Sequence, residues 1–258
     1  MKIRVGVIGC LGRTGRAVIN ELIANQRVKI IGVAARSNLG EDIGKIIGCG
    51  FNVGARITDS IDEVFELSDV VIDFTDKECM LKCLEAAVEF KKPLVSGTTG
   101  IEDIDLKLYA TKVPILWSAN MSIGANVLLK LVKKAAELLG SEYDAEIWEM
   151  HHNLKKDAPS GTAIELGKTI ADALKIDLHV DQHLSGTRKK KSIGFAVSRG
   201  GGVVGDHMVM FAGADERVEL SHKAINRKVF AKGAVQAALW LYDNKRRDAG
   251  LYSMQEVI

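Results

Sequence analysis

A glycine-spaced loop set between a β-branched run and an amphipathic stripe constrains the fold of this chain more than any other feature. Gly9-Cys10-Leu11-Gly12-Arg13-Thr14-Gly15 follows the strand-like run 3–8 and precedes Val18, Ile19, Leu22 and Ile23, which recur at helical spacing. Glycines in such a place allow a tight turn and bring backbone amides close to a pyrophosphate at a helix N-terminus. The spacing departs from Gly-x-Gly-x-x-Gly, so taken alone it also fits a plain turn from strand to helix. A second strand-like run at 28–35 completes a βαβ unit of about 30 residues, the context in which such a loop holds a dinucleotide.

Short β-branched runs keep alternating with helical periodicity through the first half, as parallel βα units do. Run 69–75 is strand-like, Met80, Leu81, Leu84, Ala87 and Val88 form a helical stripe, and 94–96 and 115–117 read as further strands. The expected fold class is α/β, with a Rossmann-like doubly wound parallel sheet. Near Ser122-Gly124 the pattern changes. A long helix is expected to pack Leu128, Leu131, Val132, Ala135, Leu138 and Leu139 on one side. Run 145–150 is strand-like, and Thr162-x-x-Glu165 has the form of a capping box opening a helix that turns Leu166, Ile170, Ala173 and Leu174 inward. Strand-like runs at 193–198, 207–212 and 217–221 then predict a second, α+β domain with an open mixed sheet. A terminal helix at about 230–242 fits either unit.

At 258 residues the chain can bury one large core or two smaller ones. A formal net charge of +2 gives no reason to expect nucleic acid or a membrane surface as partner, and no apolar run is long enough to span a bilayer. The strand-like run begins within two residues of Met1, so no signal peptide is expected. Cys10, Cys49, Cys79 and Cys83 match neither a disulfide framework nor a metal spacing. Reduced, mostly buried thiols and a cytoplasmic location are expected.

The end of the second strand bears on cofactor choice. An acid there would hydrogen-bond the ribose 2′-hydroxyl of NAD, but the chain reads Ala34-Ala35-Arg36-Ser37 with no carboxylate before Glu41. Arg36 and Ser37 suit a 2′-phosphate, which predicts NADPH as the preferred cofactor with NADH possible; a solvated loop arginine is the plainer alternative.

The segment from His151 to Thr162 carries the chemistry. A histidine pair at a strand end can be structural, since neighbouring side chains face opposite ways. Lys155 adds a cation beyond the strand, and Ser160-Gly161-Thr162 presents backbone amides and a hydroxyl at a helix start, suited to a carboxylate. Together these groups can bind a small dianion and hand it a proton. Elsewhere, Gly200-Gly201-Gly202 with Gly205 reads as a mobile loop, either a plain hairpin turn or a lid. Arg188-Lys189-Lys190-Lys191 reads as a solvated basic loop. His179 and His183 lack the further ligands a metal needs, and no metal is expected.

The chain resembles the 4-hydroxy-tetrahydrodipicolinate (dihydrodipicolinate) reductase family of bacterial lysine and diaminopimelate synthesis along nearly its whole length. The resemblance rests on Gly9-x-x-Gly12-Arg13-x-Gly15, Asp73-Phe74-Thr75, Gly97-Thr98-Thr99-Gly100, Asn120-x-Ser122-x-Gly124-x-Asn126, Glu149-x-His151-His152, Lys155, the run 157–163, and His222-Lys223-Ala224. It implies that Gly9, Cys10, Leu11, Gly12, Arg13 and Thr14 cradle the pyrophosphate, with Arg36 near the adenosine ribose. Gly97, Thr98, Thr99, Ser118, Ala119, Asn120 and Met121 would line the nicotinamide side. His151 would exchange the proton, Lys155 would donate one, and His152, Gly161 and Thr162 would hold the dicarboxylate substrate. A substrate domain at about 123–226 would be inserted into a cofactor domain of 1–122 and 227–258, and the protein would be a homotetramer joined through substrate-domain sheets. Many members have an acid where Arg36 stands and accept both cofactors, so dual use is in doubt here. Asn153 and Leu154 also replace more basic residues of some relatives.

The implied substrate is a cyclic imine with two carboxylates and a ring hydroxyl. Water is lost, a hydride reduces the carbon–carbon unsaturation, and an imidazole neutralises the resulting charge. Lys155 can anchor a carboxylate or give up a proton, and its place in the sequence fits both. A reductase for another small imine or keto acid is the nearest alternative, and a cofactor-sensing protein without catalysis the more distant one.

Overall fold

The computed structural model describes residues 2–181, 187–243 and 248–258. They divide into two compact units, 1–123 with 228–258, and 124–227. In chain order the first unit runs β1 (Ile3–Ile8), α1 (Arg13–Ala24), β2 (Val28–Ala34), α2 (Ile43–Ile47), β3 (Ile57–Thr58), α3 (Ile61–Leu67), β4 (Val70–Asp73), α4 (Lys77–Phe90), β5 (Leu94–Ser96), α5 (Leu106–Ala110) and β6 (Pro114–Trp117). The second unit follows with α6 (Ile123–Leu139), β7 (Asp144–His151), α7 (Gly161–Leu174), β8 (Val180–Asp181), β9 (Ile193–Arg199), β10 (Asp206–Ala212) and β11 (Arg217–Lys223). The chain returns through α8 (Lys228–Asp243), β12 (Gly250–Tyr252) and α9 (Met254–Val257).

The first unit is the doubly wound α/β fold. Seven strands in the order β12-β6-β5-β4-β1-β2-β3 pair in parallel throughout. Val5, Val7, Val70 and Ile72 are fully buried, as near-continuous apolar strands between two helical layers must be. One layer contributes Val18, Ile19, Leu22, Ala234 and Leu241 from α1 and α8; the opposite side packs Val64, Phe65, Met80 and Leu84 from α3 and α4. The terminal helix therefore belongs to this unit. Its short elements α2, α3, α5, β3 and β12 escape sequence reading because two to seven residues carry too little periodicity.

The second unit has a five-stranded mixed sheet in the order β11-β10-β7-β9-β8. One face packs Ala145, Ile147, Val209 and Phe211 against Leu129 and Val132 of α6 and Leu166 and Ile170 of α7. The α6 stripe differs from expectation: Ala125, Leu128, Leu129, Val132 and Ala136 are inside, whereas Leu131 and Leu138 are 51% and 72% exposed. That helix is apolar on more than one side, so composition alone does not choose its packed face. Three further expectations are corrected. The cap of α7 is Ser160, whose side chain accepts from the Ala163 amide, so Thr162 and Glu165 lie inside the helix and form no capping box. Gly200-Gly201-Gly202 is not a hairpin turn, because β9 and β10 are not neighbours; the segment passes around the end of β7 that lies between them. Arg188 is not a solvated loop residue: it ion-pairs with Asp144 and Glu146 and donates to the carbonyls of Ala145 and Ser192, tying the start of β7 to the approach to β9. Of the two spaced histidines, His179 is exposed and His183 lies outside the described residues.

Candidate active site

In the first unit the loops after β1, β2, β4, β5 and β6 leave one edge of the parallel sheet. Strand order reverses between β1 and β4, the place where such sheets bind ligands. A cleft of about 590 Å³ opens there, with Gly9, Leu11, Gly12, Arg36, Ser37 and Asp76 in its wall. Gly9 has φ +78°, a left-handed conformation that favours glycine. A Cβ on Gly15 would lie 2.0 Å from the Gly9 carbonyl oxygen, so α1 approaches the turn only because position 15 has no side chain. Six other helices cap their first turn with an Asp or Ser side chain; α1 starts at Gly12 with no such cap and no acid in its first turn. An anion can take the place of that cap, and a dinucleotide pyrophosphate fits.

The other sequence-assigned cofactor residues differ in what they offer. The side chains of Cys10 and Met121 are 0% and 2% exposed and pack in the core, which leaves only their backbone for a ligand. Arg13 is exposed and Thr14 half-buried in the first turn of α1. Gly97, Thr98 and Thr99 follow β5, and Ser118 to Met121 follow β6, on the same sheet edge but outside the wall of the cleft. Thr98 donates to Asp73 Oδ2 at 2.8 Å and accepts from the Thr75 amide at 3.0 Å. Ser96 and Thr75 also donate to that carboxylate, at 2.7 and 2.6 Å, yet burial still pushes the Asp73 carboxyl above its ordinary range. This hydroxyl-bound carboxyl holds the ends of β4 and β5 together. Ser118 and Asn120 close a turn through Ser118 Oγ to the Asn120 carbonyl at 2.8 Å and the Ser122 amide to Asn120 Oδ1 at 2.9 Å. Arg36 meets a carboxylate after all, since its guanidinium pairs with Asp76 at 2.7 Å.

The second unit gathers a cluster of titratable side chains at the end of β7. Glu149 and His151, two apart, both point to the helix-covered face. Glu149 is 1% exposed, and its carboxylate accepts from His151 Nδ1, from the Ser160 amide at 2.9 Å and from both Arg199 amino groups at 3.2 Å. Burial alone would raise its carboxyl, but the His151, Arg199 and Ser160 donors outweigh burial and hold it at about 2. An ionised Glu149 can only accept, so Nδ1 carries the hydrogen and Nε2 is the atom left for exchange. A Cβ on Gly205 would stand 3.0 Å from Nε2, so the glycine segment approaches the ring this closely because position 205 has no side chain. The same segment is pinned to the strand end by the Gly200 amide on the His151 carbonyl at 2.9 Å and the Asn153 amide on the Gly201 carbonyl at 3.2 Å.

Lys155 sits in a turn closed by its amide on the His152 carbonyl at 3.1 Å, and its ammonium bonds both Asp157 oxygens at 2.9 and 2.7 Å. Arg199 also donates to the Asp157 carbonyl at 2.7 Å, linking Glu149 to the lysine turn. Gly161 is exposed at the start of α7, and a Cβ there would meet nothing within 4 Å. His152 is half-buried beside His151.

His207 completes the cluster. It is 4% exposed, its Nε2 lies 3.1 Å from Ser160 Oγ, and its ring meets that of His151 edge-on at 5.1 Å. Burial, with His151 alongside, pushes its imidazole down to about 4. Glu149, His151 and His207 bring donor atoms within 4.8 Å of one another, as a metal would require. Arg199 already neutralises Glu149, which His151 also bonds, while His207 meets the pair through its ring contact with His151. The depressed His207 fixes a stability effect. The unfolded chain takes up this proton near pH 6.5 and the folded chain near 4, so stability is full above 6.5 and falls as pH drops through 4. The loss is about 3 kcal/mol for a shift of this size. Tm measured from pH 7 to 4 is expected to fall more steeply in the native protein than in His207→Gln, and equal slopes would contradict the assignment.

Glu149, Arg199 and His207 received no role from sequence, although Glu149 stood in the motif, and Ser160, read as part of a carboxylate site, instead caps α7 and meets His207. The available signal was the alternation Ala145, Ile147, Glu149, His151, which places an acid on a core face where it needs cationic partners.

Dihydrodipicolinate reductase family models match the chain in two parts, the N-terminal one over residues 3–121 and the C-terminal one over 124–258. A 4-hydroxy-tetrahydrodipicolinate reductase of Wolbachia sp. subsp. Drosophila simulans (strain wRi) is 70% identical, with 100% of each chain covered. One of Anaplasma marginale (strain St. Maries) is 51% identical over 99% of each. Among solved structures, a dipicolinate-bound dihydrodipicolinate reductase from Paenisporosarcina sp. TG-14 has the same fold, with TM-score 0.80 over 100% of each chain at 22% identity. An amine dehydrogenase from Mycobacterium smegmatis shares it less closely, with TM-score 0.64 at 12% identity, covering 99% of this chain and 96% of that one. By both family models and by full-length identity, the chain belongs to the dihydrodipicolinate reductase family.

Proposed function

We propose that the protein reduces 4-hydroxy-tetrahydrodipicolinate to tetrahydrodipicolinate, with loss of water, in lysine and diaminopimelate synthesis. One observation carries the reading: a buried carboxylate grips the Nδ1 side of His151, beside a lysine and the uncrowded start of a helix. Two carboxylates on the substrate ring answer to this set. The α7 first-turn amides at Gly161 and Thr162, with the helix dipole, suit one carboxylate, and Lys155 and His152 suit the other. A bound reduced nicotinamide dinucleotide would supply the hydride. Reduction leaves negative charge on the conjugated ring, and His151 Nε2 delivers the proton that neutralises it. Glu149 stabilises the imidazolium before that transfer and keeps Nδ1 protonated after it.

NADPH is the cofactor the cleft favours, because Arg36 and Ser37 can bond a 2′-phosphate, and NADH is the second choice. The oligomer is proposed to be a homotetramer built on the bare face of the second sheet, where Trp148, Met150, Met208 and Met210 lie away from α6 and α7. No helix of the described residues is long and apolar enough to cross a membrane, and a cytoplasmic location is proposed with the pathway.

A coupled assay tests the function and the cofactor together. Freshly condensed pyruvate and aspartate semialdehyde are supplied while absorbance of each reduced nicotinamide is followed. Substrate-dependent oxidation is expected, with kcat/KM higher for NADPH, and Arg36→Asp should reverse the preference through a change of about 10–100-fold. NADPH binding without substrate-dependent oxidation would contradict the function. Equal or better kcat/KM with NADH in the native protein would contradict the preference.

A further inference from the structure

The dinucleotide cleft contains an acid that the sequence order hides. Asp76 follows β4, not β2, yet its Oδ2 lies 2.7 Å from the Arg36 guanidinium, and both residues stand in the wall of the cleft. Its other oxygen, Oδ1, accepts the Cys79 amide at 2.9 Å as the N-cap of α4. The carboxylate is therefore fixed by a helix start and does not depend on Arg36 to hold its position. The Cys79 amide first, and Arg36 second, hold its carboxyl below the ordinary range, so it is charged at neutral pH.

We propose that Asp76 sets the ratio of NADPH to NADH use, by occupying the guanidinium that a 2′-phosphate needs and by offering a 2′-hydroxyl an acceptor. The proposal rests on the cleft being the dinucleotide site. A 2′-phosphate brings about two negative charges to Arg36 against the fixed charge of Asp76, a repulsion felt across a few ångströms of solvent. A ribose 2′-hydroxyl meets no such repulsion and can donate to the carboxylate, as it does to the acid at the end of the second strand in NAD-specific folds. Here the acid comes from the next crossover, on the other side of the arginine.

Asp76→Asn isolates the charge, because asparagine caps a helix as well as aspartate does. Binding of 2′,5′-ADP and 5′-ADP, and of NADP⁺ and NAD⁺, is measured by calorimetry on the purified full-length protein. The variant is expected to bind the 2′-phosphorylated member of each pair relatively tighter by about tenfold, with the gain shrinking as salt is raised. The kcat/KM ratio for NADPH over NADH should rise alongside. Glu78→Gln removes a neighbouring acid of the same cleft wall, and it should move the ratio far less. A ratio unchanged within twofold in Asp76→Asn, or moved equally by Glu78→Gln, overturns the role of Asp76 while leaving the dinucleotide site in place. Failure of all four nucleotides to bind the native protein would overturn both.

Discussion

Glu149→Gln is expected to lower kcat by about 10²–10⁴-fold while KM changes little. The reason is donor arithmetic. Glu149 faces donors on every side: His151 Nδ1, the Ser160 amide and both Arg199 amino groups. A glutamine has one acceptor oxygen and one donor nitrogen. If its oxygen stays with Arg199 and Ser160, its nitrogen turns to His151 and forces Nδ1 to become the acceptor. The hydrogen then resides on Nε2 of a neutral ring, and the imidazolium that must give up a proton loses its counter-charge. Glu149→Ala goes further, leaving Arg199 half-buried without its partner, and should cost about 3–5 kcal/mol of stability in the second unit. Steady-state kinetics and Tm on both variants separate the effects: glutamine should fail mainly in turnover, alanine in folding as well. A Glu149→Gln enzyme within threefold of native kcat would remove Glu149 from the mechanism.

Lys155→Ala should cost about 10–100-fold in kcat/KM, the worth of one or two charge-assisted hydrogen bonds. The ammonium holds Asp157 through two of its three donors, which leaves the third for a substrate carboxylate. If Lys155 anchors, the loss falls on KM, and Lys155→Arg recovers part of it. If Lys155 also donates a proton, kcat falls as well, and arginine cannot restore it because a guanidinium does not deprotonate. Asp157, held below the ordinary carboxylate range by Lys155, offers a cross-check. Removing its charge with Asp157→Asn should tighten substrate binding if anchoring is the role. No change of KM or kcat in Lys155→Ala would contradict both roles.

The sheet of the first unit was legible because parallel strands buried on both faces write themselves as apolar runs: 3–8, 70–73 and 94–96 stand out without any partner being known. The crossing of the glycine segment over β7 was not, since a turn between two strands looks the same whether they pair or flank a third. In the site, Gly9, Gly12 and Gly15 carry their meaning locally, and so does the proximity of His151 to Lys155. The partners of His151 do not. Arg199 and His207 lie 48 and 56 residues further on, and only strand pairing brings them to Glu149, through His151 opposite Arg199 and Glu149 opposite His207. Asp76 escaped for the same reason, since a search along the second strand finds no acid that the fold delivers from the fourth.

The most direct test of the mechanism is a single turnover of His151→Gln. Protein preloaded with NADPH is mixed with fresh substrate, and loss of the nicotinamide absorbance is timed, with NADPH affinity measured in parallel. If the ring charge left by reduction is quenched by this imidazole, oxidation should slow by at least about 100-fold while NADPH binds as in the native protein. Oxidation at the native rate, with the dinucleotide equally well bound, would show that the proton comes from elsewhere.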